Sequence, residues 1–161
     1  MTKSILGKTT RTEDTIYEHK CFVIMPFGGW LDTYYFDIYM PAIKAAGFEP
    51  QRADDLYGSR PIINDIWNST KEANVILADL TKKNPNVFYE LGLAHAIAKP
   101  TILITATMKD VPFDLKHLRI IEYDKNFPKW SEILQEKITK SLKEILKKPE
   151  QTILPILSIS S

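Results

Sequence analysis

Three short apolar runs, each followed by a helical pattern, constrain the fold of this chain most strongly. The runs are CFVIMP at residues 21–26, NVILAD at residues 74–79 and TILITA at residues 101–106, and none of them alternates apolar with polar residues. A strand that is apolar along its length is buried on both faces, which is typical of parallel sheets covered by helices. The sequence therefore predicts an α/β fold.

Two more strands and four helices complete this pattern. The additional strands are expected at residues 48–53 and 118–123. Helical spacing of apolar residues, bounded by capping and breaking residues, predicts helices at about residues 33–46, 61–71, 85–98 and 130–145. Such a succession most simply forms a flavodoxin-like three-layer sandwich, with a five-stranded parallel sheet of order 2-1-3-4-5.

The length of the chain favours one domain. Its 161 residues, 44% of them hydrophobic and 25% charged, are enough to bury one sizeable core. We expect an N-terminal arm at residues 1–20, the α/β domain at residues 21–148 and a C-terminal tail at residues 149–161. The tail combines apolar residues with serines, and a disordered end, a segment covering a sheet edge and a contact to another chain are all consistent with it.

The charge, the cysteine content and the absence of targeting motifs limit the kinds of partner and location expected for this chain. The formal net charge is only +1, whereas proteins that bind duplex nucleic acid usually carry a large basic excess, so a small ligand is favoured. Cys21 is the single cysteine and lies in a predicted strand, which favours a buried, inert thiol. No stretch resembles a signal peptide, a membrane span or a metal-binding motif. A cytoplasmic location is therefore expected, with no membrane partner and no metal.

In a sheet of this order, ligands bind beyond the carboxyl ends of the first and third strands, where the strand order reverses. This rule selects the loops at residues 27–32 and 80–86. We expect them to supply substrate-binding residues, and the acid pair after the second strand is a candidate for ribose hydroxyls; these residues are Phe27, Gly28, Gly29, Asn84, Asn86, Asp54 and Asp55. A tight glycine turn and a solvated acid pair are the structural alternatives, and Asn84 is also a natural helix cap.

Glu90 is the most unusual residue of the pattern. In the third predicted helix, Val87, Leu91 and Ala94 define the face packed on the sheet, and Glu90 lies on the same stripe. A carboxylate in this position needs partners or a function, because burial of an unpaired charge is unfavourable. Asp79, at the end of the third strand, is expected to face the same cleft, either for chemistry or to brace the following loop through backbone amides.

Several of these segments resemble one family. The sequences CFVIMPFG, RADD, ADLTKKNPNVFYELGLAHAIAKP and VPFDL, the last followed by Arg119, are similar to those of the nucleoside 2-deoxyribosyltransferase-like proteins, which border on TIR-like domains. The resemblance covers about residues 21–123. It implies a flavodoxin-like fold and an enzyme that acts on an N-glycosidic bond.

The resemblance also implies a mechanism. Glu90 would be the nucleophile that attacks the anomeric carbon and forms a glycosyl-enzyme ester, and Asp79 would act in general acid-base catalysis or hold the base. Asn84 stands where family members often have an aspartate, and an amide cannot deliver a proton. Either Asp79 acts alone, or a base such as the cationic nicotinamide of NAD leaves without that help.

Two functions from different classes follow from these observations. The first is a hydrolase or transferase that cleaves the N-glycosidic bond of a nucleoside, a nucleotide or NAD, with no required cofactor and with NAD as a possible substrate. The second is a TIR-like signalling or defence module that binds a nucleotide or cleaves NAD and assembles with other chains. In either case we expect a homo-oligomer, because related enzymes often complete their site with a neighbouring subunit.

Overall fold

The computed structural model describes residues 16–54 and 63–148 of the chain, and its centre is one parallel sheet. The strands are β1 (His19–Ile24), β2 (Phe48–Arg52), β3 (Val75–Asp79), β4 (Thr101–Thr105) and β5 (Ile120–Glu122). They lie in the order β2-β1-β3-β4-β5, and every neighbouring pair is parallel. The predicted flavodoxin-like α/β fold and its strand order are confirmed.

Helices cover both faces of this sheet. They are α1 (Trp30–Tyr34), a π-helical segment (Tyr35–Tyr39), α2 (Met40–Ala45), α3 (Ile63–Glu72), α4 (Pro85–Ala96) and α5 (Trp130–Lys147). The first predicted helix therefore begins three residues earlier than expected and contains a π-helical segment. The predicted cap of α4 is confirmed, because Asn84 Oδ1 accepts hydrogen bonds from the backbone amides of Asn86 at 2.9 Å and Val87 at 3.4 Å.

The sheet separates two hydrophobic cores, and the strands contribute alternate residues to each. In β3, Val75 and Leu77 pack with α1, the π-helical segment, α2 and α5, whereas Ile76 and Ala78 pack with α3 and α4. Along α5 the buried positions recur at helical spacing and face the first core; they are Leu134, Ile138, Leu142 and Ile145. The apolar stripe of the last helix is therefore part of the core.

The outer strands differ from the apolar pattern of the inner ones. β2 has the sequence FEPQR and lies at an edge, where Pro50 is tolerated because one side of the strand needs no ladder hydrogen bonds. β5 is only three residues long, and none of them is fully buried. Cys21 is completely buried, which raises the pKa of its thiol, so the prediction of a buried thiol is confirmed.

Some predictions fall outside the described residues. Asp55, the beginning of the helix predicted from residue 61, most of the N-terminal arm and the C-terminal tail are among them. Within the residues assigned to the arm, β1 already begins at His19. None of the helices in the two described ranges combines the length and the apolar character that a membrane-crossing segment needs.

Candidate active site at the carboxyl edge of the sheet

Glu90 lies in the second turn of α4 and is half-buried. Among the described residues, no hydrogen bond or ion pair satisfies its carboxyl group. Burial raises the pKa of Glu90 from 4.5 to about 7. In the described part of the chain, no side-chain nitrogen or oxygen is both fully buried and unbonded, so the Glu90 oxygens reach an accessible surface. The carboxyl group is thus available to a ligand.

Asp79 has the opposite environment, because protein groups surround it. It is 1% exposed, and it accepts hydrogen bonds from Tyr39 Oη at 2.7 Å, from the Thr81 backbone amide at 3.0 Å and from Thr81 Oγ1. The Thr81 hydroxyl also lies 3.3 Å from Tyr123 Oη. Burial raises the pKa of Asp79, although the bonds from Thr81 and Tyr39 oppose this effect. These contacts are those of a residue that braces the loop after β3.

The same network makes two tyrosines unusually weak acids. Burial first, and then the nearby negative charge of Asp79, raise the pKa of Tyr39 well above its ordinary value. The pKa of Tyr123 is raised by the same two causes. Both hydroxyls therefore remain protonated at neutral pH. Neither tyrosine was predicted from the sequence, since each lies on a stripe of apolar residues where a core role is the ordinary explanation.

Asp79 and Glu90 both lie near the carboxyl edge of the sheet, but on opposite faces of it. Asp79 continues the alternation of Val75 and Leu77 and contacts the π-helical segment, whereas α4 with Glu90 covers the opposite face. Among the described residues, no hydrogen bond links the two carboxyl groups to a common partner. Whether both act on one substrate stays a prediction.

A buried arginine organises the loop after β1, and sequence reasoning missed it. Arg52 ends β2 with its side chain 3% exposed, and it binds Asp54 through Nε and Nη2, both at 2.6 Å. Its Nη1 lies 2.9 Å from Asp32 Oδ1, which also accepts from the Gly28 amide at 3.2 Å. The guanidinium lies 5.4 Å from the centre of the Phe27 ring. Arg52 thus joins the ends of β1 and β2.

This cluster fixes four of the predicted ligand-binding residues. Phe27 is 51% exposed, and Gly28 and Gly29 have φ values of +91° and +63°, which residues with a Cβ rarely adopt. Asp54 is held by Arg52 rather than fully solvated. The signal that could have identified Arg52 is the sequence RADD, in which a lone cation at a strand end precedes two acids.

Replacing Arg52 by methionine is expected to lower the free energy of unfolding by about 2 kcal/mol, because Asp32 and Asp54 lose their shared cation and Phe27 loses a cation–π contact. Urea unfolding followed by circular dichroism measures the change. Arg119→Met is the matched control, since Arg119 is 79% exposed and its pair with Glu144 should contribute less than about 0.5 kcal/mol. Equal losses in the two variants would contradict the role given to Arg52.

The remaining candidates have structural partners. Asn84 caps α4, and Asn86 is exposed beside it. His95 is buried and lies 3.2 Å from Thr101 Oγ1, which gives it a packing role. In the ranges that the structure describes, no three His, Cys, Asp or Glu side chains are grouped closely enough to hold a metal ion.

An aromatic cluster lies beside the Asp79 network. Tyr123 stacks on Trp130 with ring centres 5.6 Å apart, and Tyr34 contacts Trp130 at 5.1 Å and Trp30 at 4.9 Å. Trp30 begins α1 and is 39% exposed, whereas Tyr123 is buried. The cluster therefore connects the buried hydroxyl network to the surface at the carboxyl edge.

The fold and the position of these residues define a flavodoxin-like α/β protein with a candidate site at its topological switch point. No protein-family model matches the sequence, and no curated protein matches it. Several solved structures, however, match the fold of this chain. The CMP N-glycosidase BcmB of Clostridium botulinum is 18% identical, with 73% of this chain and 97% of that chain covered and a TM-score of 0.52.

A 2-deoxyribosyltransferase from Bacillus psychrosaccharolyticus is also similar in structure. It is 14% identical, with 71% of this chain and 90% of that chain covered and a TM-score of 0.52. At this level of identity the two comparisons establish a shared fold. The chain spans nearly the whole of both neighbours.

Proposed function

We propose that this protein cleaves the N-glycosidic bond of a nucleoside, a nucleotide or NAD, with Glu90 as the nucleophile. The observation that carries the proposal is the accessible carboxyl group of Glu90, which has no partner among the described residues and a pKa raised by burial to about 7. The two structural neighbours are a CMP N-glycosidase and a 2-deoxyribosyltransferase, which supports the same reaction class.

The chemistry needs only one carboxylate at the reacting carbon. The ionised Glu90 attacks the anomeric carbon through an oxocarbenium-like state, the bond to the base nitrogen breaks, and its electron pair leaves with the base. A proton donor neutralises the base unless the base is cationic before cleavage, as nicotinamide is. Water then hydrolyses the glycosyl ester in a hydrolase, or a second base displaces it in a transferase. No cofactor is required by these steps.

The other residues are proposed to bind and position. Phe27 offers an exposed ring on which a base can stack. We propose Asp54, whose carboxylate Arg52 holds in place, and Asp55 for the ribose hydroxyls. We assign Asp79 to positioning, because its oxygens are occupied by Tyr39 and Thr81 and it fixes the loop that leads into α4. Direct proton transfer by Asp79 stays a prediction.

A substrate panel tests the proposal. The purified chain is incubated with nucleosides, 2′-deoxynucleosides, their 5′-phosphates and NAD, each with and without an acceptor base, and released base or nicotinamide is measured by chromatography. We expect release from at least one class. If no class gives product but a nucleotide or NAD raises the melting temperature, the enzyme proposal is wrong and the alternative of a binding module that assembles with other chains is supported.

The rate of base release is expected to depend on the ionisation of Glu90. Burial raises its pKa to about 7, and only the carboxylate is nucleophilic, so kcat/KM should rise with pH along a limb with its midpoint near 7. The measurement is initial rates between pH 5 and 9 at fixed ionic strength. A limb with its midpoint near 4.5, the ordinary value for a glutamate, would contradict the burial of this group in the free enzyme.

A further inference from the structure

Two lysine ammonium groups converge on one exposed tryptophan at the carboxyl edge of the sheet. Lys82 Nζ lies 4.7 Å from the centre of the Trp30 ring, and Lys125 Nζ lies 4.2 Å from it. The two nitrogens are therefore within about 9 Å of each other, the sum of these distances. The residues come from three segments: Trp30 begins α1, Lys82 follows β3 and Lys125 follows β5.

Neither ammonium group is neutralised within the described part of the chain. None of the ion pairs found there includes Lys82 or Lys125. The neighbouring acids accept hydrogen bonds from backbone amides rather than from these lysines: Asp110 accepts from the Lys82 amide at 2.9 Å, Asp124 accepts at 2.9 Å from the amide two residues later, and Glu122 accepts from a loop amide at 3.1 Å. Lys82 and Lys125 are both exposed, so their ammonium groups can reach a ligand.

The position of Lys82 is determined by the fold rather than by local preference. Lys82 and Lys83 have φ values of +70° and +52°, a left-handed conformation that is unfavourable for a residue with a Cβ. The hydrogen bond to Asp110 holds the Lys82 backbone, and contacts with Tyr34 hold the Trp30 ring. The Lys82 backbone and the Trp30 ring are thus held in place before any ligand binds.

We propose that Lys82 and Lys125 form a subsite for phosphoryl groups, so that the preferred ligand is a nucleoside 5′-phosphate or a dinucleotide rather than a free nucleoside. Ammonium groups form charge-assisted hydrogen bonds with phosphate oxygens, and two of them within this distance match a phosphate or a diphosphate. The turn carrying Lys82 joins β3 to the helix that carries Glu90. This inference rests on the proposed function, since it identifies the substrate class of the same edge.

Calorimetric titration of the full chain tests the subsite separately from the chemistry. The ligands are inorganic pyrophosphate, NAD, and the pairs cytidine with CMP and adenosine with AMP. The variants are Lys82→Met, Lys125→Met and the double substitution. Lys71→Met is the matched control, because Lys71 also lies over a tryptophan, at 5.8 Å from the Trp67 ring, but on α3.

We expect a 5′-phosphate to bind at least about tenfold more tightly than its nucleoside, and each substitution at Lys82 or Lys125 to remove about tenfold of that affinity while nucleoside affinity stays within twofold. Equal affinity for nucleoside and phosphate, or an equal loss in Lys71→Met, overturns the subsite. If the rate of base release changes neither in Lys82→Met nor when the substrate carries a 5′-phosphate, the subsite is overturned and the proposed function is left intact. Phosphate-dependent binding without base release from any substrate supports the subsite and defeats the proposed function.

Discussion

Glu90→Gln is expected to lower base release by at least about a thousandfold while the protein remains folded, because the amide keeps the shape of the side chain and removes the nucleophile. The variant and the wild type are compared on the best substrate of the panel, at a pH above 7 where the wild-type carboxyl group is ionised. Mass spectrometry of the denatured wild type after mixing with substrate should show a glycosyl adduct, and the variant should show none.

Stability measurements separate this loss from unfolding. The pKa of Glu90 is raised in the folded state, so its contribution to stability is fully present below about pH 4.5 and is lost as pH rises through about 7. Glu90→Gln should therefore be more stable than the wild type at pH 8, by about 3 kcal/mol, and this gain should disappear near pH 4.5. Glu72→Gln, an exposed change on α3, is the control for activity. Retained base release in Glu90→Gln would exclude the glutamate mechanism.

Asp79→Ala is expected to lower the free energy of unfolding by about 3 kcal/mol. The substitution removes the acceptor of the Tyr39 hydroxyl, the Thr81 amide and the Thr81 hydroxyl, all of them buried, and an unsatisfied buried donor costs about 1 to 3 kcal/mol. Denaturant unfolding monitored by circular dichroism measures this change. The loss should be accompanied by weaker base release, since the loop into α4 is no longer braced.

Two further variants test whether burial of the hydrogen-bonded groups is the reason for the large loss of stability expected in Asp79→Ala. Tyr39→Phe removes one of the three bonds to Asp79 and should cost about 1 kcal/mol. Asp110→Ala removes a carboxylate that braces the same turn through the Lys82 amide at the surface, and should cost less than about 1 kcal/mol. A similar small loss in Asp79→Ala would mean that water replaces its contacts and that the network does not stabilise the fold.

The layer order of the molecule could be predicted because it depends on local patterns. The apolar runs that form β1, β3 and β4 indicated strands buried between helices. The pair Asn84 and Pro85 correctly predicted the residue at which α4 begins. Sheets joined by right-handed crossovers admit few strand orders, so the order β2-β1-β3-β4-β5 followed from the succession of elements.

The polar contacts at the carboxyl edge could not be predicted in the same way. Arg52 binds Asp32, twenty residues away, and Asp79 binds Tyr39, forty residues away. Such pairs depend on which strands become neighbours and on which face each side chain takes, and no local periodicity encodes them. Lys82 and Lys125 were likewise indistinguishable in the sequence from other surface lysines.

The sequence by itself determined that a carboxylate would stand on a helix at the switch point, since the spacing of Val87, Glu90 and Leu91 fixes one face of that helix. Only the tertiary structure decided that Glu90 is half-buried without a partner among the described residues, and that Asp79 is enclosed by hydroxyl groups on the other face of the sheet. The physical reason is desolvation, because a side chain's exposure depends on everything that packs around it and not on its neighbours in the chain.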